Sequence, residues 1–275
     1  MGRLGAYAHA ARSLLREPWR GRATVERTRP DALREALSSF DAEEGTSSGS
    51  QTQSDDADTV VVYAGLSDVA AAFGGDPYER LRDGLFEAFD AVLTPGFTFS
   101  FRESGFVDLD RALPEVGAFG RRFLADATFR TDDPVFSLLG ADAFAFETDG
   151  ADCSYAPGGY WDELHDRDVL YLNVGTDRFR CSAFHVAEVR HEVPYVSRTA
   201  LRGKVRRNGR LDAVTHSIPT DDYWRRFARQ KVQRDLGDAL LDRSVGGVRI
   251  QGCRAGAVDA LLDERLGSDP YYLVT

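Results

Sequence analysis

The chain has 275 residues, 43% of them apolar and 28% charged, which suits one large folded α/β domain or two small ones with a substantial core. No run of about 18 apolar residues occurs, so no membrane span is expected. A net charge of -10 disfavours a general binder of nucleic acid, whose phosphates such a surface repels.

The charge is also unusual in kind. Aspartates and arginines dominate, and Lys204 and Lys231 are the only lysines. An acidic, lysine-poor surface is tolerable where molar salt screens charge within roughly 3 Å, so the pattern reads as a halophile signature. Cys153, Cys181 and Cys253 are widely spaced and form neither a CxxC pair nor a disulfide framework, which fits a reducing, cytoplasmic interior. Met1 to Arg20 carries four arginines but no apolar core with a small-residue cleavage site, so no secretory signal is expected.

Residues 1–58 read as an N-terminal helical arm followed by a flexible acidic linker. Helices are predicted over Tyr7–Arg16 and, after Pro30, over Asp31–Phe40. The stretch EEGTSSGSQTQSDDAD (43–58) has no apolar periodicity and reads as a solvated loop. Residues 59–275 form the main domain. It opens with TVVVYAG, a buried-strand signal ending in glycine. Asp76–Pro77 is an N-cap and N1 pair for a helix running to Phe89. AVLTPGFTFSF gives a second strand and a loop, Pro114–Leu124 a helix, and Phe136–Phe146 two short apolar runs split by Gly140. DVLYLNVG (168–175) is a strand, Ser182–Arg190 a helix, and Asp221–Leu241 a long helical stretch with a break at Gly237. GGVRIQGC (246–253) is a further strand, and Ala255–Arg265 a helix.

Strand, glycine, helix recurring in this way predicts an α/β fold with a central, largely buried sheet. Sites in such folds gather beyond the carboxyl ends of the strands. Here those are the loops Ala64–Gly75, Thr94–Gly105, Gly175–His185 and Gly252–Ala255.

His185 and Glu188 are spaced i, i+3 in CSAFHVAEVRHEVPY, on one face of a helix. A neutral imidazole can take a proton from an attacking nucleophile, and a nearby carboxylate raises its basicity or fixes its orientation; a helix histidine satisfied by a neighbouring acid has the same pattern. His191 turns away from that line, and no HExxH or cysteine cluster occurs, so no metal is expected. No GxGxxG, P-loop or GxSxG motif occurs. Asp132–Asp133–Pro134 could bind a substrate amine or hydroxyl, or simply form a turn.

Six blocks appear in order: TVVVYAGLSDVAAAFGGDPYERLRDGLFEAF, VLTPGFTFSF, LPEVGAFGRRFL, FRTDDPVFSLLG, DVLYLNVGTDRFRCSAFHVAE and GCRAGAVDALLDERL. Together, over about residues 59 to 270, they resemble the aminoglycoside 3-N-acetyltransferase family. The resemblance implies a three-layer α/β/α fold with a central mixed sheet, of the antibiotic N-acetyltransferase type. It implies acetyl-CoA as co-substrate and an amine on a sugar-like acceptor, with no nucleic-acid or membrane partner and a possible homo-oligomer. His185 matches the family's catalytic histidine in its His-x-x-Glu block, with Glu188 as companion. Gly65, Leu66, Ser67, Thr98 and Phe99 match the segments along which CoA runs, and Asp132 and Asp133 fall on the substrate side.

This chain departs from the family pattern at three places. Ala64-Gly65-Leu66-Ser67 stands where the family has Ser-Ser-Leu-Ser, Asp133-Pro134 where many members have His-Pro, and CSYAPGGYWDEL where the family has a Ser-Pro-Phe block. The expected acceptor is an aminoglycoside, an amino-sugar-like compound or another environmental amine. Alternatives are a nucleotide-linked amino sugar in surface-glycan synthesis, or a catalytically inactive CoA-binding homologue.

Overall fold

The computed structural model describes residues 28–29, 31–42, 58–142, 144–221 and 226–275. The expected helix Tyr7–Arg16 and most of the acidic loop 43–58 lie outside them. The elements are α1 (Asp31–Ala42), β1 (Thr59–Ala64), α2 (Leu66–Phe73), α3 (Pro77–Ala88), β2 (Ala91–Pro95), α4 (Phe101–Ser104), β3 (Phe106–Asp108), α5 (Ala118–Phe123), β4 (Phe129–Arg130) and β5 (Leu138–Asp142). They continue with α6 (Tyr160–Asp166), β6 (Leu170–Val174), α7 (Ala183–Arg190), β7 (Val196–Arg207), β8 (Arg210–Asp221), α8 (Arg229–Leu236), β9 (Leu241–Val245), β10 (Val248–Arg254) and α9 (Ala255–Ser268).

Seven strands form a central sheet in the order β4-β5-β2-β1-β6-β10-β9. β2, β1 and β6 run parallel; β5 pairs antiparallel to β2, and β10 antiparallel to β6. β1 shows why the sheet is buried on both faces. Its side chains alternate, so Val61 joins one core while Val60 and Val62 join the other. Leu37 and Phe40 of α1, Val69 of α2, Leu81 and Leu85 of α3 and Phe119 and Phe123 of α5 cover one face. Leu164 of α6, Val186 of α7, Val232 of α8 and Val258 and Leu262 of α9 cover the other. The result is the three-layer α/β/α arrangement with a mixed sheet.

Asp76 caps α3 as its sequence predicts: Oδ1 accepts from the backbone N–H groups of Tyr78 at 2.9 Å and Glu79 at 3.3 Å, with Pro77 at the first helical position.

Three expectations are corrected. The stretch Asp221–Leu241 is not one long helix: strand β8 ends at Asp221, α8 covers only Arg229–Leu236, and β9 begins at Leu241. Gly237 adopts φ +53 and ends the helix, and Gly246–Gly247, both at positive φ, turn β9 back onto β10 as a hairpin. Within Pro114–Leu124 the helix starts only at Ala118, because Gly117 sits at φ +70 just before it. Finally, β10 runs antiparallel to β6, so the Gly252–Ala255 loop lies at the opposite end of the sheet from the carboxyl ends of β1, β2 and β6. The start of β10, around Gly247 and Arg249, occupies the functional edge instead.

A second sheet, β3-β7-β8, is built on a hairpin of two 12-residue strands. Asn208 and Gly209 turn it, at φ +51 and +73, the left-handed backbone that Asn-Gly favours in two-residue hairpins.

Candidate functional site

Helix α7 follows the β6 loop and presents His185 and Glu188 on one face. His185 Nδ1 lies 2.7 Å from Glu188 Oε2. Glu188 is fully buried, and its other oxygen accepts from the Tyr195 hydroxyl at 3.0 Å. A buried carboxylate holding the Nδ1 proton leaves Nε2 as the nitrogen able to accept one. The His185 side chain retains 31% exposure, and its ring packs 5.2 Å from that of Tyr155 and 5.8 Å from that of Phe227. Burial acts to lower the imidazole pKa. The hydrogen bond and charge of Glu188, with the charge of Asp221, outweigh burial, and the net shift is upward. The pair can therefore take up and hold a proton beside an open face.

Neither His185 nor Glu188 itself lines either of the two cavities near the pair: Arg180 lines the larger, and Tyr155, whose ring packs on His185, lines the smaller. The larger, about 1000 Å³, lies at the carboxyl ends of β1, β2 and β6. Gly65 and Ser67 line it, as do Tyr63, Thr94, Arg178, Arg180 and Arg249. Leu66 begins α2 between Gly65 and Ser67. Three arginines share this lining with Asp68 and Asp177, so basic groups outnumber acidic ones at one cavity of a chain with net charge -10. Arg178 and Arg180 are half exposed, while Arg249 is held by Asp242. Thr98 and Phe99 do not line this cavity. Thr98 is buried, its hydroxyl donating to the Pro134 carbonyl at 2.7 Å, and Phe99 packs on Phe97 and Phe136.

The smaller cavity, about 170 Å³, is lined by Asp132, Asp133, Ser154, Tyr155, Tyr160 and His216, among others. Asp133 is not an open carboxylate. Its Oδ1 accepts from the backbone N–H groups of Val135 and Phe136 at 2.8 and 2.7 Å. Its Oδ2 accepts from the Ser154 hydroxyl and faces His216 Nε2 at 3.4 Å. Burial acts to raise the Asp133 pKa, but the hydrogen bond and charge of His216 and these donors bring it below the usual value. Asp132 accepts from the Tyr160 hydroxyl at 2.9 Å and stays partly exposed.

Tyr155 and Tyr63 connect the parts. Tyr155 lines the small cavity and its ring touches His185. Tyr63 lines the large cavity and bonds Ser182, the residue just before α7. His191, the third candidate metal ligand, pairs instead with Asp263 at 2.7 Å.

Sequence reasoning did not reach Tyr63, Ser154, Tyr155, Tyr195, His216 or the three arginines. The alternation of 196–221 about Asn208-Gly209 could have placed His216 on a hairpin. Nothing local marks the others, which converge only through the sheet order.

The sequence profile of the aminoglycoside 3-N-acetyltransferase family matches residues 111–263, more than half of the chain. The chain belongs to that family. No curated protein matches. Among solved structures, the fold resembles that of the YokD protein from Bacillus subtilis at 15% identity, with a TM-score of 0.62 over 87% of this chain and 98% of that one. It also resembles AAC-IIIb in a binary structure with CoASH, at 18% identity and TM-score 0.65 over 85% and 95% of the two chains. A sisomicin-bound AAC-VIa structure matches at 19% identity and TM-score 0.64 over 85% and 97%. As a member of the family the chain is an N-acetyltransferase, and its three-layer fold is the one these enzymes share.

Proposed function

We propose that the chain transfers an acetyl group from acetyl-CoA to an amino group of an aminoglycoside or amino-sugar-like acceptor, with His185 as general base. The observation that carries this reading is the His185–Glu188 pair, with one imidazole nitrogen fixed by a buried carboxylate and the ring still partly open. An amine is mostly protonated near neutral pH and must lose a proton to attack. His185 Nε2 takes it, a contribution typically worth about 10²–10⁴-fold, and Glu188 holds the ring in the required tautomer.

The large cavity suits a long polyphosphorylated co-substrate. Acetyl-CoA supplies the thioester from which the acyl group is transferred. Arg178, Arg180 and Arg249 pair with its phosphates, and Gly65, Leu66 and Ser67 let backbone approach it closely. Thr98 and Phe99 contribute by bracing the loop after β2 against Pro134. Asp132, at the small cavity, holds a cationic acceptor, while Asp133 braces the wall behind it. AAC-IIIb binds CoASH and AAC-VIa binds sisomicin, which supports acetyl-CoA and an amino-sugar-like acceptor as the two substrates.

Direct transfer is favoured over an acyl-enzyme on Cys181. Burial pushes that thiol well above its usual pKa, which withholds the thiolate.

Thiol release from acetyl-CoA tests the reading, measured with a panel of aminoglycosides and simple amino sugars in dilute and in molar salt. Amine-dependent release is the expected result. CoA binding without turnover of any amine would place the chain among inactive homologues.

A further inference from the structure

One amide sits where the sheet core would otherwise take an apolar side chain. Asn173 lies in β6, within LYLNV, and is 0% exposed. Burying an amide is costly unless its hydrogen bonds are made. Those of Asn173 run to the loop between β6 and α7. Its Oδ1 accepts from the Arg180 backbone N–H at 2.8 Å, and its Nδ2 donates to the Arg180 carbonyl at 2.9 Å. These partners fix the orientation of the amide, since a backbone N–H only donates and a carbonyl only accepts. The Thr176 hydroxyl lies 3.3 Å from the same Oδ1 and 3.1 Å from the Arg178 carbonyl, and its one proton can serve either.

This clamp acts on a wall of the large cavity, which Thr176, Asp177, Arg178 and Arg180 line. Between the two exposed arginines, Phe179 is fully buried and plugs into the core. The guanidinium groups themselves are only loosely tethered, at 3.5 and 3.7 Å from Asp177. Where these two cations stand therefore depends on the backbone beneath them. Asn173 holds that backbone by both polar groups of Arg180. The next segment has its own anchor: Ser182, just before α7, donates its backbone N–H to Tyr63 Oη at 3.1 Å. Tyr63 and Asn173 are cross-strand neighbours in β1 and β6. One holds the start of α7, and the other holds the cavity wall.

We propose that Asn173 is a positioning residue for the acyl donor: by clamping the Arg180 backbone, it sets the guanidinium groups of Arg178 and Arg180 for the phosphates of acetyl-CoA. This rests on the acetyl-transfer reading and adds a residue to it. Asn173 is fully buried and acts only through the loop. Its contribution is order established before binding, because a loop already fixed loses little freedom when its ligand arrives. A loop released from the clamp must be ordered at the moment of binding, and the cost appears in affinity. Since Ser182 is anchored separately, His185 keeps its place and turnover of the saturated enzyme does not depend on the clamp.

The test is Asn173→Leu, which is close to Asn in shape, suits a buried strand and removes every hydrogen bond of the clamp. It is combined with Arg180→Ala in a double-mutant cycle, with CoA affinity read by calorimetry and transfer by steady-state kinetics. Asn173→Leu is expected to weaken CoA and raise KM for acetyl-CoA by about tenfold, the loss of one charge-assisted hydrogen bond, with kcat nearly unchanged. In the Arg180→Ala background the same substitution should cost less, because a group it positions is already gone. Hydrogen exchange at the Arg180 amide should quicken. Wild-type CoA affinity in folded Asn173→Leu, equal losses in the two backgrounds, or a fall confined to kcat overturns the proposal while leaving acetyl transfer itself intact. A wild type that fails to bind CoA overturns the acetyl-transfer reading and this proposal together. A circular-dichroism melt shows whether each variant folds. Should Asn173→Leu not fold, Asn173→Asp keeps an acceptor for the Arg180 N–H, loses the donor to its carbonyl, and carries the same cycle with the same deciding outcomes.

Discussion

A β-carbon on Gly65 would lie 2.4 Å from the carbonyl oxygen of Gly175, and one on Gly175 would lie 2.5 Å from the carbonyl oxygen of Gly65. The ends of β1 and β6 therefore meet backbone to backbone at the mouth of the large cavity. Gly175 is further constrained by φ +64, where side chains are strained. The Gly65 N–H donates to the Val174 carbonyl at 2.8 Å, which ties the two loops together. Placing the family's serine here should harm rather than help. Gly65→Ser is expected to weaken CoA binding at least tenfold by calorimetry; affinity equal to wild type would show that the loops separate freely.

The pH dependence of transfer follows from the His185–Glu188 pair. The base works deprotonated, so kcat/KM should fall as pH drops through the His185 pKa, which lies above its ordinary value near 6.5. Replacing Glu188 by Gln leaves burial acting without its opposing charge. The acid limb should then move to lower pH, while the plateau rate drops by about 10²–10⁴-fold as the tautomer is lost. A pH–rate profile with the limb in its original place would show that Glu188 does not set it.

Asp133 makes a different kind of prediction, about stability. Its carboxylate serves two backbone N–H groups, Ser154 and His216 inside the protein. Asp133→Ala should cost about 3–5 kcal/mol, the usual loss when one partner of a buried ionic cluster is removed. Because the folded-state pKa is depressed, this contribution is present above the unfolded value near 3.9 and is lost as pH falls through the folded one. Denaturant melts at pH 7 and pH 3 should therefore show a smaller gap between wild type and variant in acid. Asp132→Ala, at a partly exposed carboxylate, should leave the melt within about 0.5 kcal/mol and raise KM for the acceptor.

How much was legible in the sequence depends on whether a feature is local. The cap Asp76–Pro77, the strand Thr59–Ala64 and the shared face of His185 and Glu188 follow from spacing along the chain, and the structure contains all three. The edge on which Gly252–Ala255 lies could not be read, because strand direction is set by pairing with β6 rather than by the residues of β10. Whether Asp133 binds a substrate or shapes a turn could not be read for a similar reason. Its partners Ser154 and His216 come from 21 and 83 residues further along the chain, brought in by the loop before α6 and by β8. Gly237 was legible as a break, yet the strand after it was not, since LDRSV is short and carries few apolar residues.

The basic lining of the large cavity yields a salt-dependent prediction. Arg178 and Arg180 each lie within 4 Å of Asp177 but remain half exposed, and are free to reach a phosphate. The double variant Arg178→Ala/Arg180→Ala should weaken CoA by roughly 10–100-fold, the range expected for one or two charge-assisted hydrogen bonds. It should also flatten the dependence of affinity on ionic strength. Titration of CoA at two salt concentrations measures both, and an unaltered salt slope would remove these arginines from the phosphate site.

The most direct measurement is acetyl transfer by His185→Ala at saturating acetyl-CoA and amine, with CoA affinity measured on the same sample. A general base at this position predicts a fall of about 10²–10⁴-fold in kcat with CoA affinity within a few-fold of wild type. Full turnover in a variant that still binds CoA would contradict it.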